Sequence, residues 1–400
     1  MKLIKKEFVC PYCFSKHDLY NILFRCQNNP TKCPQVVDNE LGAFLGKTSL
    51  MNKVFSIPKP STKTEHLKSI LIPKELRCPH CNELSHERIC PSCHNALPHT
   101  IGDYKDMIFA LIGAKEAGKS HYISVLIDMI KNHVCKSFSA NLQPMNDNTI
   151  KKYRENFYTP VFKKREVIPE TISARADYSV KMPLVYHLSF SQKNWLRKEV
   201  ISKVCTITFF DTAGEDLNAE DTMRTENKYI YNSQGIILLV DPLQLPEVRN
   251  ILASKGIYLP NENAEADDVV SRVVTLIRSA TRNWNAKIDI PIAVAFSKID
   301  ALEDYMDKSL FLSGDHNGYY NASDANNIST LIESFLEEWA GAAIINAVKT
   351  HFSTYSFFGV SALGSNPGVD KKIPKLMPIR VEDPFLWLLN KNNIIKDKPS

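Results

Sequence analysis

Residues Gly113-Ala114-Lys115-Glu116-Ala117-Gly118-Lys119-Ser120 set two glycines, a lysine and a hydroxyl at the spacing of a phosphate-binding turn. Small residues let successive backbone N–H groups curl around phosphate oxygens, Lys119 brings a mobile positive charge to the outer phosphates, and Ser120 offers a hydroxyl to Mg²⁺. His121, the next residue, is grouped with this stretch as a nucleotide contact. An apolar run, Met107–Ile112, precedes the turn, and a helical stretch follows to about Ile130. Strand, phosphate loop and helix in that order imply binding of a nucleoside triphosphate.

A second constellation, Phe210-Asp211-Thr212-Ala213-Gly214-Glu215, ends the alternating run Val204–Phe210. A carboxylate at the carboxyl end of a strand neighbouring the phosphate loop suits Asp211 to a water-mediated Mg²⁺ contact. Gly214 carries no side chain to block its N–H from a γ-phosphate, so the loop after it can sense that phosphate.

Eight of the ten cysteines lie before residue 94 and pair by spacing. Cys78 and Cys81 are followed after a short span by Cys90 and Cys93, which suits four thiolates around Zn²⁺. Cys10 and Cys13 stand ahead of Cys26 and Cys33, whose looser gap still permits a second four-cysteine site. Interleaved pairs from the two clusters are an alternative connectivity. His17, His80, His86 and His94 lie nearby, but two full cysteine quartets leave them no vacancy. With every ligand position filled by sulfur, both metals are expected to be structural.

These groups need a scaffold, and 400 residues allow one large α/β domain and a smaller appendage. The expected division is a zinc-binding module over 1–100 and a nucleotide domain over 101–400. Residues 1–100 carry 14 Lys/Arg against 8 Asp/Glu, whereas the remaining 300 carry 35 against 36, so the basic excess belongs to the appendage. That charge could face nucleic acid or an acidic protein surface, although no arginine-rich stripe with interleaved aromatics supports a single-strand grip. Apolar runs are strand-length rather than membrane-length, so no membrane partner is expected. The N-terminus lacks the pattern of a secretory signal, which points to a cytoplasmic setting where thiols stay reduced.

From Asp103 onward, strands are predicted at Met107–Ile112, Leu184–Phe190, Val204–Phe210, Gly235–Val240, Ile290–Phe296 and Tyr355–Val360. Helices are predicted over about 118–132, 219–232, 266–284, 327–348 and 383–390. Alternation of helices with near-continuous apolar strands implies a mostly parallel sheet covered on both faces. The second and third strands could form an antiparallel edge hairpin. Between the cysteine clusters, Ser69-Ile-Leu-Ile72 carries a modest strand signal.

The phosphate loop, Asp211-Thr-Ala-Gly214, Ser297-Lys298-Ile299-Asp300 and Ser361-Ala362-Leu363 together resemble the ordered motif set of Ras-like, translation-factor-class GTPases. Within that class the wording of the first two motifs, the long gap between them and the Cys-rich N-terminus resemble the prokaryotic double-GTPase proteins of conflict and defence systems. The resemblance implies a P-loop GTPase fold binding GTP or GDP with Mg²⁺. It also implies association with a protein, either a second GTPase chain or another copy of this one, in an antiviral defence or signalling complex.

On this resemblance, Asp300 accepts from the N1–H and exocyclic amine of guanine together, a pair that adenine cannot present. The stem of Lys298 lies over the ring, and Ser361, Ala362 and Leu363 close the base pocket. Ser297 stands where the family usually has Asn, which weakens one contact. Thr171 is assigned to Mg²⁺ in the first switch, with Thr159 as the alternative. Arg154, Arg165 and Arg175 lie in the same interval, and an internal arginine could support γ-phosphate transfer. Glu215 follows Gly214 where many of the class carry a water-orienting Gln, so intrinsic turnover is expected to be slow, with Lys119, Gly214, Glu215 and Thr171 as the catalytic set. The readings left open are a slow GTPase switch, a guanine-nucleotide-dependent scaffold without hydrolysis, and a nucleic-acid-binding zinc-ribbon protein regulated by nucleotide.

Overall fold

The structure is a computed structural model and describes residues 7–58, 73–102, 105–169, 182–193, 195–210, 228–254, 259, 266–312, 314, 316–339, 341–367 and 370–398. Its contacts divide the chain into two compact units, one formed chiefly by Met1–Asp106 and the other by Met107–Ala174 with Pro183–Ser400.

The first unit is built from short strands, because few of its segments carry enough apolar residues for long ones. β1 (Glu7–Val9) pairs antiparallel with β2 (Lys16–Asp18), and β3 (Leu23–Arg25) lies between β6 (Val54–Ser56) and β9 (Glu87–Ile89). Two further two-residue pairs, β4 (Val36–Val37) with β5 (Leu50–Met51) and β7 (Leu76–Arg77) with β8 (Leu84–Ser85), complete the described strands. A buried ion pair joins Arg25 Nη2 to Asp38 Oδ2 at 2.8 Å, and Asp38 Oδ1 meets His94 Nδ1 at 2.7 Å.

The second unit centres on a seven-stranded sheet. β10 (Lys105–Gly113), β14 (Gly235–Val240), β15 (Ile292–Phe296) and β16 (Tyr355–Gly359) are mutually parallel. Every residue of β14 and β15 is buried, as an apolar strand covered on both faces must be. The helix Asp383–Lys391 packs on one face through Phe385, whose ring meets Phe109 edge-on at 5.5 Å and Phe209 at 6.2 Å. On the same helix, Trp387 meets Phe358 of β16 edge-on at 6.0 Å.

β12 (Leu184–Lys193) and β13 (Glu199–Phe209) do form an antiparallel hairpin. The hairpin is not the sheet edge, however, because β11 (Ala140–Pro144) pairs antiparallel with β12 outside it. The order across the sheet is therefore β11-β12-β13-β10-β14-β15-β16. The helix expected over 327–348 is also two helices, Ala322–Glu338 and Ala342–His351. Gly341 permits the break: its N–H donates to Leu336 O at 2.7 Å, and any Cβ there would run into the Leu336 side chain. The predicted helix over 118–132 is Lys119–Met129 continued by a π-helical turn, Ile130–Val134. The Ser69–Ile72 strand signal lies outside the described residues, as does most of the predicted 219–232 helix.

Candidate functional site

β10 is the point at which the sheet's connections diverge, and ligands of such sheets lie beyond the carboxyl ends of the parallel strands. Gly113 closes the strand so tightly that a Cβ would stand 2.8 Å from Leu239 O and 3.2 Å from the Ala117 Cβ. Gly118 is needed for a different reason. Space around it is open, but its φ of +89° is a left-handed conformation that turns the loop into the Lys119–Met129 helix. Lys119 is buried, and its ammonium folds back to donate to Gly113 O at 3.0 Å and Ala114 O at 2.9 Å. A lysine held against its own loop, at the N-terminal end of an eleven-residue helix, forms an electropositive cradle suited to phosphate.

The second wall comes from the ends of β14 and β15. Ser297 N donates to Val240 O at 2.9 Å, and its hydroxyl reaches the same carbonyl at 3.3 Å. Lys298 adopts a φ of +56° and places its ammonium 2.6 Å from Asp241 Oδ2, while Asp241 Oδ1 accepts from Leu243 N at 3.0 Å. Asp241 was not singled out from sequence. The available signal was an acidic residue immediately after the all-apolar run Gly235–Val240, the position on a parallel strand that faces a ligand.

The third wall follows β16. Ser361 Oγ donates to Asp300 Oδ1 at 2.5 Å and accepts from Gly364 N at 2.9 Å. Burial pushes the Asp300 carboxyl above its usual range, opposed by the Ser361 hydrogen bond and the Lys298 charge. The Ser361 backbone is fixed by two hydrogen bonds with Ile379, at 2.9 and 2.8 Å. Arg380, buried with a φ of +47°, anchors that partner segment. Its Nη1 donates to Asp324 Oδ2 at 2.7 Å and to Asp383 Oδ2 at 2.8 Å.

Gly118, His121, Ser297, Lys298, Ser361, Ala362 and Leu363 line one pocket, together with Tyr122 and Val360. Three segments far apart along the chain thus meet, and each was singled out from sequence. Tyr122 ties the first wall to the third by donating to Val381 O at 2.9 Å. His121 Nε2 accepts from Ile168 N at 2.9 Å, so its ring proton resides on Nδ1. Burial, aided by the Lys298 charge, lowers the His121 pKa to about 4 and keeps the imidazole neutral at pH 7. Thr171, Asp211, Gly214, Glu215 and Arg175 lie outside the described residues. Thr159 lies within a π-helical segment, Tyr153–Lys164, and Arg154 and Arg165 are exposed.

In the first unit the eight cysteines gather into two quartets, but not by sequence neighbourhood. Cys10, Cys13, Cys90 and Cys93 form one, and Cys26, Cys33, Cys78 and Cys81 the other. The interleaved pairing therefore replaces Cys10/Cys13/Cys26/Cys33 and Cys78/Cys81/Cys90/Cys93. Antiparallel pairing of β3 with β9 is the cause. Leu23 at the start of β3 faces Ile89, so Cys90 lies back towards the first pair, while Arg25 faces Glu87 and carries Cys26 towards the third.

Sγ separations are 3.8 Å for Cys10–Cys93, 3.7 Å for Cys13–Cys90 and 3.5 Å for Cys26–Cys81. Four sulfurs about 2.3 Å from one Zn²⁺ form a tetrahedron with edges of about 3.8 Å, so the donor set fits zinc. Three of the four pairs share a turn in which the first cysteine's carbonyl accepts from a residue of positive φ, namely Phe14, Asn82 or His94. Backbone N–H groups of Tyr12, Asn28 and Ser92 point at Cys10, Cys26 and Cys90 sulfurs at 3.4 Å, as donors to thiolates do. Such closed sulfur shells hold structure rather than perform chemistry.

Residues 107–376 match the Double-GTPase 2 family. Among curated proteins, "Putative ESX-1 scaffolding and assembly protein SaeC" of Mycolicibacterium smegmatis is 27% identical over 322 residues, covering 75% of this chain and 78% of that protein. Among solved structures, the Arl6 small GTPase of Trypanosoma brucei aligns over 72% of this chain and 98% of its own, at 11% identity and a TM-score of 0.29. The GTPase-like domain of Saccharomyces cerevisiae Ski7, bound to GTP, aligns over 74% of this chain and 51% of its own, at 16% identity and a TM-score of 0.32. With the family match spanning most of the chain, and the α/β sheet and phosphate loop in place, this protein belongs to the Double-GTPase 2 family and is a GTP-binding protein.

Proposed function

We propose that the chain is a slow, guanine-specific GTPase whose nucleotide state controls association with a protein partner. The observation that carries this reading is the pocket in which Gly118, His121 and Tyr122 meet Ser297, Lys298 and Ser361, the last of which donates a hydrogen bond to Asp300. Asp300 reads the guanine edge, Lys298 flanks the base, and the Gly113–Ser120 amides and Lys119 take the phosphates. Ser120, Asp211 and Thr171 would hold Mg²⁺, which neutralises charge between the β- and γ-phosphates when bound. Gly214 and the loop after it give the triphosphate and diphosphate forms different surfaces, and Glu215 accounts for slow turnover because its carboxylate is repelled by the γ-phosphate.

In this reading the nucleotide domain, residues 101–400, senses the γ-phosphate, and the zinc module, residues 1–100, supplies a rigid basic contact for the partner. The partner is a protein, either a second GTPase chain or another copy, and the resemblance to conflict-system proteins supports a cytoplasmic defence or signalling complex. The name of the M. smegmatis relative, a scaffolding and assembly protein, favours a second reading in which nucleotide governs assembly without hydrolysis.

Phosphate release from GTP, followed beside light scattering of the chain with GDP or a non-hydrolysable GTP analogue, separates the two. The switch reading expects slow release that Lys119→Ala abolishes, and a change of assembly size between nucleotides. Assembly that ignores nucleotide in both the unaltered chain and Lys119→Ala overturns both readings.

A further inference from the structure

The β12–β13 hairpin carries side chains for which the nucleotide site has no use. Where it leaves the body it is braced: Lys203 Nζ donates to Asn393 O and Ile394 O, both at 2.9 Å, and Ser191 Oγ donates to Ser139 O at 2.9 Å. Beyond these braces both strands emerge into solvent, with Gln192, Lys193 and all of Glu199–Ser202 exposed. Thirteen large apolar side chains are exposed among the described residues, and four of them gather here: Trp195 at 89%, Leu196, Val200 and Ile201 at 69%. Lys193, Arg197 and Lys198 stand among them against a single acid, Glu199.

We propose that this tip is a docking element that inserts into an anionic lipid surface. Val200 and Ile201 are consecutive in a strand, so they point to opposite faces of the ribbon. A protein surface laid against the ribbon would cover one face and leave the other wet, whereas a lipid interface receives the tip end-on and buries both. Trp195 suits the boundary between headgroups and acyl chains, where one part of the ring is apolar and the N–H stays solvated. The three cations around it complement anionic headgroups while their stems lie along the apolar side chains. No described helix is long and apolar enough to cross a membrane, and none is required, because the tip touches the interface without spanning it. The sequence expectation of no membrane partner rested on the absence of transmembrane-length runs, which a ribbon tip does not need.

Cosedimentation of the full chain with vesicles of phosphatidylcholine alone, or with phosphatidylserine added, tests this directly. Binding is expected on the anionic vesicles only and should weaken as salt rises. Trp195→Ala combined with Ile201→Ser should lower it by about tenfold or more, because two apolar side chains no longer enter the interface. Replacement of Lys193, Arg197 and Lys198 by Gln should abolish the preference for phosphatidylserine. All these side chains are exposed, so the melting temperature should stay unchanged and serve as the folding control. In a Trp284→Phe background, which removes the other exposed tryptophan, brominated lipids should quench Trp195 fluorescence. Absence of vesicle binding, or binding unaltered in the double variant, would overturn the proposal. Loss of self-association in the double variant without vesicle binding would assign the tip to a second copy instead.

Discussion

Ser361 and Asp300, sixty-one residues apart, share a hydrogen bond of 2.5 Å that fixes the carboxylate to which the proposed function assigns guanine recognition. The hydroxyl holds one carboxylate oxygen and is itself held by Gly364 N, so the carboxylate is pre-oriented before any base arrives. Gly364 is suited to that post because its φ is +68° and a Cβ would run into the Met377 carbonyl. Ser361→Ala should leave the chain folded and weaken GTP and GDP by about tenfold, the worth of one hydrogen bond to a charged group. Titration calorimetry beside a thermal melt reads both effects.

Behind Ser361 stands Arg380, whose carboxylate partners, the buried Asp383 and the half-buried Asp324, make it sensitive to substitution. Arg380→Met should cost about 3 kcal/mol of stability, since the buried Asp383 would lose its guanidinium partner and keep, among the described residues, only His316 Nε2, 3.5 Å from its Oδ1. Combining it with Asp324→Asn should recover part of that loss, as measured by denaturant titration. A loss below about 1 kcal/mol for the single variant would show that the cluster does not hold the Ile379–Ser361 pair in place.

His121 makes stability depend on pH with a definite sign. Its folded pKa, about 4, lies below the ordinary value of 6.5, so the unfolded chain binds the extra proton first as pH falls. The contribution is therefore full above about pH 6.5 and is lost between there and about 4, up to roughly 3 kcal/mol. His121→Asn keeps an acceptor for Ile168 N but does not titrate. The difference in stability between the two chains should shift with pH only inside that window, as chemical melts at several pH values would show.

The zinc quartets predict an unusual pattern in double variants. Cys10→Ser with Cys90→Ser removes two ligands of one site and should leave one zinc per chain. Cys10→Ser with Cys26→Ser damages both sites and should leave none. Sequential pairing would reverse these results, so elemental analysis of the two variants distinguishes the connectivities.

Much of the sheet was legible because β10, β14, β15 and β16 are buried on both faces and read as apolar runs bounded by turn residues. β11 was not legible, since Leu142 is its one buried residue and pairing with β12, rather than propensity, makes it a strand. The break at Gly341 was hidden by apolar periodicity that continues on both sides of it. At the site, short motifs disclosed the phosphate loop, Ser297–Asp300 and Ser361–Leu363, because their chemistry is local. Asp241 and Arg380 escaped because each acts through a partner far along the chain, Lys298 for the first and Asp324 for the second. The zinc pairing escaped for the same reason: Cys-x-x-Cys spacing specifies a turn, while the union of turns depends on β3 meeting β9.

Calorimetric titration of the unaltered chain with GTP, GDP and ATP in the presence of Mg²⁺ tests the central claim most directly. The geometry around Asp300 predicts that GTP and GDP bind at one site per chain and that ATP is weaker by about a hundredfold or more, having no donor pair for that carboxylate. Equal affinities for GTP and ATP would contradict the guanine-specific site built from Asp300, Lys298 and Ser361.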